Sequence, residues 1–108
     1  MNTEVLLGAA ASDLLTRTAF KEDWEALERR CLWTTVYQTW DFVSRWYATY
    51  PAQYQPCLVL QRDAAGRLAG LLPLATPSDG GAPIVAGSYH AEYQAWLATP
   101  ETGEQFIQ

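Results

Sequence analysis

Phe20, Trp24, Leu27 and Cys31 fall at intervals of four, three and four residues. That is the spacing of a single apolar stripe along an α-helix. Lys21, Glu22, Glu25, Glu28 and Arg29 lie off the stripe. Upstream, residues 4–7 predict a short strand bounded by Gly8, and Ser12-Asp13 predicts a helix start, a capping residue followed by an acid in the first turn. A break is expected near residues 18–21, with Asp23 restarting the helix. Thr34, Thr35, Val36 and Tyr37 are poor helix formers and mark a connector. Thr39 then predicts the N-cap of a second long helix, with Asp41 favoured by the positive helix start. This helix carries Phe42, Val43, Trp46, Tyr47 and Tyr50 and stops at Pro51, because the residue before a proline is pushed out of the helical region.

The pattern then changes period. Residues 57–60 are a continuous apolar run, residues 63–67 read as a hairpin turn with Gly66 available for positive φ, and residues 68–74 return. The continuous apolarity predicts a sheet buried on both faces. Pro73 predicts a sheet edge or a bulge. Residues 77–83 are a turn-rich loop, residues 84–86 a third short strand and residues 93–98 a fourth. Thr99-Pro100-Glu101 predicts the entry of a further helix, which Phe106-Ile107 begins to make apolar just before the sequence stops. The fold class expected is mixed α/β: a short first strand, two helices, an antiparallel β-meander of three to four strands, and the start of a third helix.

The chain has 108 residues, 49% of them hydrophobic and 18% charged. That is one small domain, residues 1–108, with enough apolar material for a core. No apolar run approaches the length of a membrane span, and residues 5–11 follow Glu4 with no basic segment, so no export signal is read. Net charge is −5, and no basic run exceeds Arg29-Arg30. This argues against nucleic acid or an anionic membrane as partner. Two cysteines provide neither a disulfide framework nor a metal cluster. They read as small buried hydrophobes in a reducing, cytoplasmic compartment.

The catalytic inventory is short. There is no phosphate-binding loop, dinucleotide fingerprint or H-E-x-x-H motif. One histidine excludes a His-based metal site, and no nucleophile elbow surrounds Ser44 or Ser88. The densest polar-aromatic cluster is Ser88-Tyr89-His90-Ala91-Glu92-Tyr93-Gln94. In an extended segment His90, Glu92 and Gln94 share one face, and Tyr89 and Tyr93 the other. His90 is the candidate general base, with Glu92 to orient it; the plainer alternative is an ordinary loop that hydrogen-bonds locally. A second cluster, Tyr37-Gln38-Thr39-Trp40, offers rings for stacking and an amide for hydrogen bonding, or equally core packing plus a helix cap.

In order, the chain reads W-E-x-L (residues 24–27), T-V-Y-Q-T-W (residues 35–40), L-V-L-Q-R-D-A-A-G-R-L-A-G-L-L-P-L (residues 58–74) and A-E-Y-Q-A-W-L-A (residues 91–98). Their order and spacing resemble the N-terminal half of GNAT-superfamily acyltransferases of the CelD-like and FemAB-like branch, the cellulose-biosynthesis-type acetyltransferases. The resemblance runs from about Glu4 to Gln108. It implies transfer of an acyl group from acetyl-CoA or another acyl-CoA to an amine or hydroxyl on a small-molecule or cell-envelope acceptor. On this resemblance Tyr37, Gln38 and Trp40 fall on the family's aromatic-helix entry, and His90, Glu92, Tyr93 and Gln94 on its pre-strand segment; the candidate substrate-binding residues are Tyr37, Gln38, Trp40, Tyr89, Tyr93 and Gln94. The glycine-rich turn that holds the CoA pyrophosphate in this family is absent, so no cofactor-binding residue carries over. This chain is therefore expected to be an inactive portion of such an enzyme, with an open sheet edge prone to self-association. The rival expectation is a non-catalytic module that holds a sugar, peptide or protein through exposed aromatic rings.

Overall fold

The computed structural model describes residues 2–87 and 97–100. The order is β1 (Asn2–Leu7), α1 (Ala9–Leu15), α2 (Thr18–Arg30), a single turn of 3-10 helix (Val36–Gln38), α3 (Trp40–Thr49), β2 (Tyr54–Arg62), β3 (Leu68–Pro77), β4 (Ile84–Val85) and β5 (Leu97–Ala98). The fold is mixed α/β, with three α-helices on an antiparallel five-stranded sheet. Strand order is β1-β2-β3-β4, and β5 also pairs with β3. The expected strand within residues 93–98 is represented here by Leu97–Ala98, opposite Gly70 and Leu71. The further helix expected after Thr99 lies outside the described residues.

The helices form where local chemistry permits. Gly8 takes φ 55 and ψ −122, a backbone state that side chains resist. This sharp turn lets α1 begin at Ala9, one turn earlier than Ser12 predicts; the Ser12 N–H is already bonded to the Gly8 carbonyl at 2.9 Å. The break falls at Thr16-Arg17, just before the expected position. In α2 the whole predicted stripe is inside: Phe20, Trp24, Leu27 and Cys31 are all buried. For α3, Thr39 Oγ1 accepts the Phe42 N–H at 3.2 Å, and Asp41 sits in the first turn, paired to Arg45 one turn on at 2.9 Å. Tyr50, at φ −123, ends the helix before Pro51.

β2 and β3 form the long central hairpin. Asp63 closes its turn, its Oδ1 accepting from the N–H groups of Ala65 (2.9 Å) and Arg67 (3.0 Å), while Gly66 supplies φ 82. The bulge lies between Gln61 and Arg62 rather than at Pro73. Pro73 is not on an edge strand either. It faces Leu58 on β2, and its carbonyl accepts the Ala86 N–H at 2.9 Å on the other side. There it lies between the positions that β5 pairs (Gly70, Leu71) and those that β4 pairs (Leu74, Ala75). Its ring nitrogen has no hydrogen to donate, and among the described residues no ladder partner is left unsatisfied by it.

The register divides the sheet into two unlike faces. Leu58, Leu60, Leu71, Ala75 and Leu97 pack with Trp24, Leu27, Val43 and Trp46 into one core under the helices. The opposite face carries Val5 and Leu7 of β1, Val59 of β2, and Leu72 and Leu74 of β3. Val5 and Leu7 are 58% and 62% exposed, and the others are half-buried. Among the described residues the helices cover one face; on the other, Cys57 and Gln61 are buried while Val5 and Leu7 are exposed. β1 also begins two residues earlier than its hydrophobic pattern shows, because Asn2 and Thr3 are held in place by Arg62 and Gln61 across the ladder.

Candidate functional site

A cleft of about 440 Å³ opens where α1, α3 and the start of β2 meet. Its volume lies in the range of small-molecule sites. Gly8 and Ala9 form one wall, Ser44, Tyr47 and Ala48 another, and Pro51, Tyr54, Gln55 and Pro56 the floor. Pro51 follows α3 and Pro56 lies near the start of β2, fixing φ on either side of Tyr54 and Gln55. The Gly8 turn brings the opposite wall close: a Cβ there would stand 3.2 Å from Gln55 Oε1.

Among the described residues no charged side chain lines this cleft. Its polar ends are the hydroxyls of Ser12, Ser44 and Tyr54 and the amide of Gln55, none of which makes a side-chain hydrogen bond among the described residues. Tyr47 differs. Its hydroxyl donates to the Leu74 carbonyl at 2.7 Å, and burial raises its pKa far above the usual phenol range. It acts as a fixed neutral wall. Burial also pushes the Cys57 thiol up, the opposite of what a nucleophilic cysteine needs. Cys31 and Cys57 are both buried free thiols.

The Tyr37-Gln38-Trp40 segment is built for a different task. Gln38 is 2% exposed. Its Oε1 accepts from the N–H of Thr35 (2.8 Å) and from the Thr35 hydroxyl (2.7 Å), closing a capping box around the 3-10 turn. Its own backbone carbonyl accepts the Trp24 indole N–H at 3.0 Å. The Trp40 N–H donates to the Glu28 carboxylate. Burial raises the Glu28 pKa, the Trp40 N–H draws it back, and the charges of Glu25 and Asp41 raise it again. The Trp40 ring meets Phe20 and Trp24 edge-to-face, both at 81°, and Tyr37 meets Phe42 at 89°. These residues lock α2 to α3. None of the three lines the large cleft. A second groove of about 320 Å³ along α3 touches the segment only through Val36.

The other sequence-derived candidates, Tyr89, His90, Glu92, Tyr93 and Gln94, lie outside the described residues. Among the described residues no cluster of His, Cys, Asp and Glu is placed to hold a metal ion, and no helix is long and apolar enough to cross a membrane. Sequence reading passed over Ser12, Tyr54 and Gln55 as site residues. The signal was present in the paired prolines of residues 51–56, which fix a short rigid segment carrying Tyr54 and Gln55, and in Gly8. Comparison of the chain with models of known protein families, with curated proteins and with solved structures finds no match.

Proposed function

We propose that this chain is the N-terminal portion of a GNAT-like acyltransferase, moving an acyl group from an acyl-CoA to an amine or hydroxyl acceptor, and that its large cleft takes the acceptor. The observation that supports this most is the element order: one strand, helices packed on a single sheet face, then an antiparallel meander, the arrangement the sequence resemblance implies. The cleft lining fits the acceptor half of the reaction. Three hydroxyls and an amide without partners among the described residues suit a neutral, hydroxyl-bearing molecule. Among the described residues no cation lines the cleft, which fits the acceptor rather than the pyrophosphate of CoA.

In the proposed reaction the acceptor oxygen or nitrogen attacks the thioester carbonyl. The C–S bond breaks, the acyl group passes to the acceptor, and the acceptor proton ends on the released thiol. Such enzymes work by positioning and by hydrogen-bond donors at the developing oxyanion. His90 and Glu92 remain the proposed base and its orienting partner. An acyl-CoA substrate and two free buried thiols fit a cytoplasmic setting. A binding module working through aromatic rings is less well supported, because Tyr37 and Trp40 meet their neighbours edge-to-face and form no common plane.

The test is to isolate the native species from its source with an antibody against residues 12–50. Release of free thiol from acetyl-CoA is then measured with a panel of hydroxyl and amine acceptors. Acceptor-dependent release that is abolished by Ser44→Trp, which fills the cleft, supports the reading. No release with any acceptor, or release indifferent to that substitution, overturns it.

A further inference from the structure

The outer edge of β1 is open among the described residues. The Gly8 N–H points across the ladder to the Pro56 carbonyl at 3.1 Å. Backbone groups alternate in direction along a strand, so those of Glu4 and Leu6 also face β2. Those of Thr3, Val5 and Leu7 face outward, where no strand pairs with them. Exposed edges are usually blunted by lysine, proline or a bulge, and β1 has none of these: its six residues are Asn-Thr-Glu-Val-Leu-Leu, and its register with β2 is unbroken. Its one charge, Glu4, lies on the helix-covered side and is met by Arg62 at 3.6 Å. The side chains flanking the outward backbone groups include Val5 and Leu7, two of the four large apolar side chains that the fold leaves exposed.

We propose that β1 pairs with the β1 of a second copy of this chain, antiparallel, about a two-fold axis perpendicular to the sheet at Val5. Outward groups can bond only to outward groups. The longest overlap therefore sets Val5 opposite Val5 and Thr3 opposite Leu7, on the order of six inter-chain hydrogen bonds. In this register Glu4 lies opposite Leu6, so no carboxylate directly faces its own copy. The two half-covered sheets become one continuous sheet, and Val5, Leu7, Val59 and Leu72 of both copies form one apolar surface. This pairing uses the sheet edge alone and does not depend on the acyltransferase reading.

The test is light scattering on the full chain up to about 1 mM, the range of weak association. The expected mass rises with concentration from 12.1 kDa toward twice that value. Added salt should tighten the association, because each copy carries a charge of −5. Val5→Lys places two ammonium groups against each other at the axis and should weaken the dimer at least ~10-fold, with the far-ultraviolet dichroism unchanged. Val5→Cys should cross-link under mild oxidation, whereas Leu32→Cys, more exposed at 79% but remote from β1, should not. A chain that stays monomeric throughout overturns the proposal. So does a dimer indifferent to Val5→Lys, or one in which the Leu32→Cys control cross-links as fast as Val5→Cys.

Discussion

The indole N–H of Trp24, on α2, donates to the backbone carbonyl of Gln38, fourteen positions along the chain, at 3.0 Å with both residues sealed from solvent. One hydrogen bond thus ties the middle of α2 to the turn that launches α3. A buried carbonyl that loses its donor keeps its desolvation cost.

Trp24→Phe removes the donor and leaves the ring. It is expected to cost about 1–3 kcal/mol from the orphaned carbonyl, plus a packing loss from the smaller ring. Urea unfolding monitored by the remaining tryptophans measures it. Leu27→Ala, one turn on and fully buried, calibrates the core and should cost about 2–5 kcal/mol.

Glu28 sets up a pH effect that runs opposite to the usual carboxylate. Burial raises its folded pKa above 4.5. The stability this confers is complete below pH 4.5 and is lost as pH rises through the raised value. Glu28→Gln keeps an acceptor for the Trp40 N–H and removes the charge. Its thermal midpoint should match the parent at pH 4 and exceed it at pH 7 by roughly a few degrees. A parent more stable than Glu28→Gln at both pH values would show that the carboxylate is a net asset.

Tyr47 should be silent in a phenol titration read at 295 nm until the protein unfolds, because burial holds its pKa well above the usual value of about 10. Its contribution to stability is complete below that value and falls as pH rises beyond it, so alkaline unfolding and the last phenol ionisation should coincide. Tyr47→Phe leaves the ring and removes the bond to the Leu74 carbonyl, at a cost of about 0.5–1.5 kcal/mol.

Gly8 is the substitution that joins stability to the cleft. A side chain at φ 55, ψ −122 is strained, and its Cβ would press on Gln55 Oε1. Gly8→Ala should cost about 1–3 kcal/mol and displace Gln55 from the cleft wall. Gly66→Ala, also at positive φ but with open space around it, should cost less and leave the cleft unchanged.

Much of the architecture was legible because short-range rules set it. The Phe20-to-Cys31 stripe, the Thr39 cap, the stop before Pro51 and the hairpin closed by Asp63 and Gly66 are each determined within a few residues. What escaped was set by partners distant in sequence. The first two positions of β1 are held by Gln61 and Arg62. Pro73 sits mid-sheet with its nitrogen turned away from β2, toward the side that β4 and β5 occupy. The apolarity of β3 could not reveal which of its faces the described helices cover. The site was harder still. Tyr37, Gln38 and Trp40 have the composition of a binding wall, yet the Gln38 amide oxygen is engaged by Thr35 and the Trp40 ring packs edge-to-face on Phe20 and Trp24. The cleft is instead lined by residues ordinary in sequence, made notable by two prolines and one left-handed glycine.

The β2–β3 hairpin has a consequence for how the molecule breathes. Every other described strand is attached to one of its two arms, so it can be the last element to open, while β1 has β2 as its one strand partner among the described residues. In hydrogen–deuterium exchange, the amides of Cys57, Val59 and Leu72, which face the other arm of the hairpin, should therefore exchange only through global unfolding. Those of Thr3, Val5 and Leu7 should exchange at once in the isolated chain and slow as the concentration rises. One exchange experiment on the intact chain would then report both the order in which the sheet dissolves and whether its free edge has found a mate.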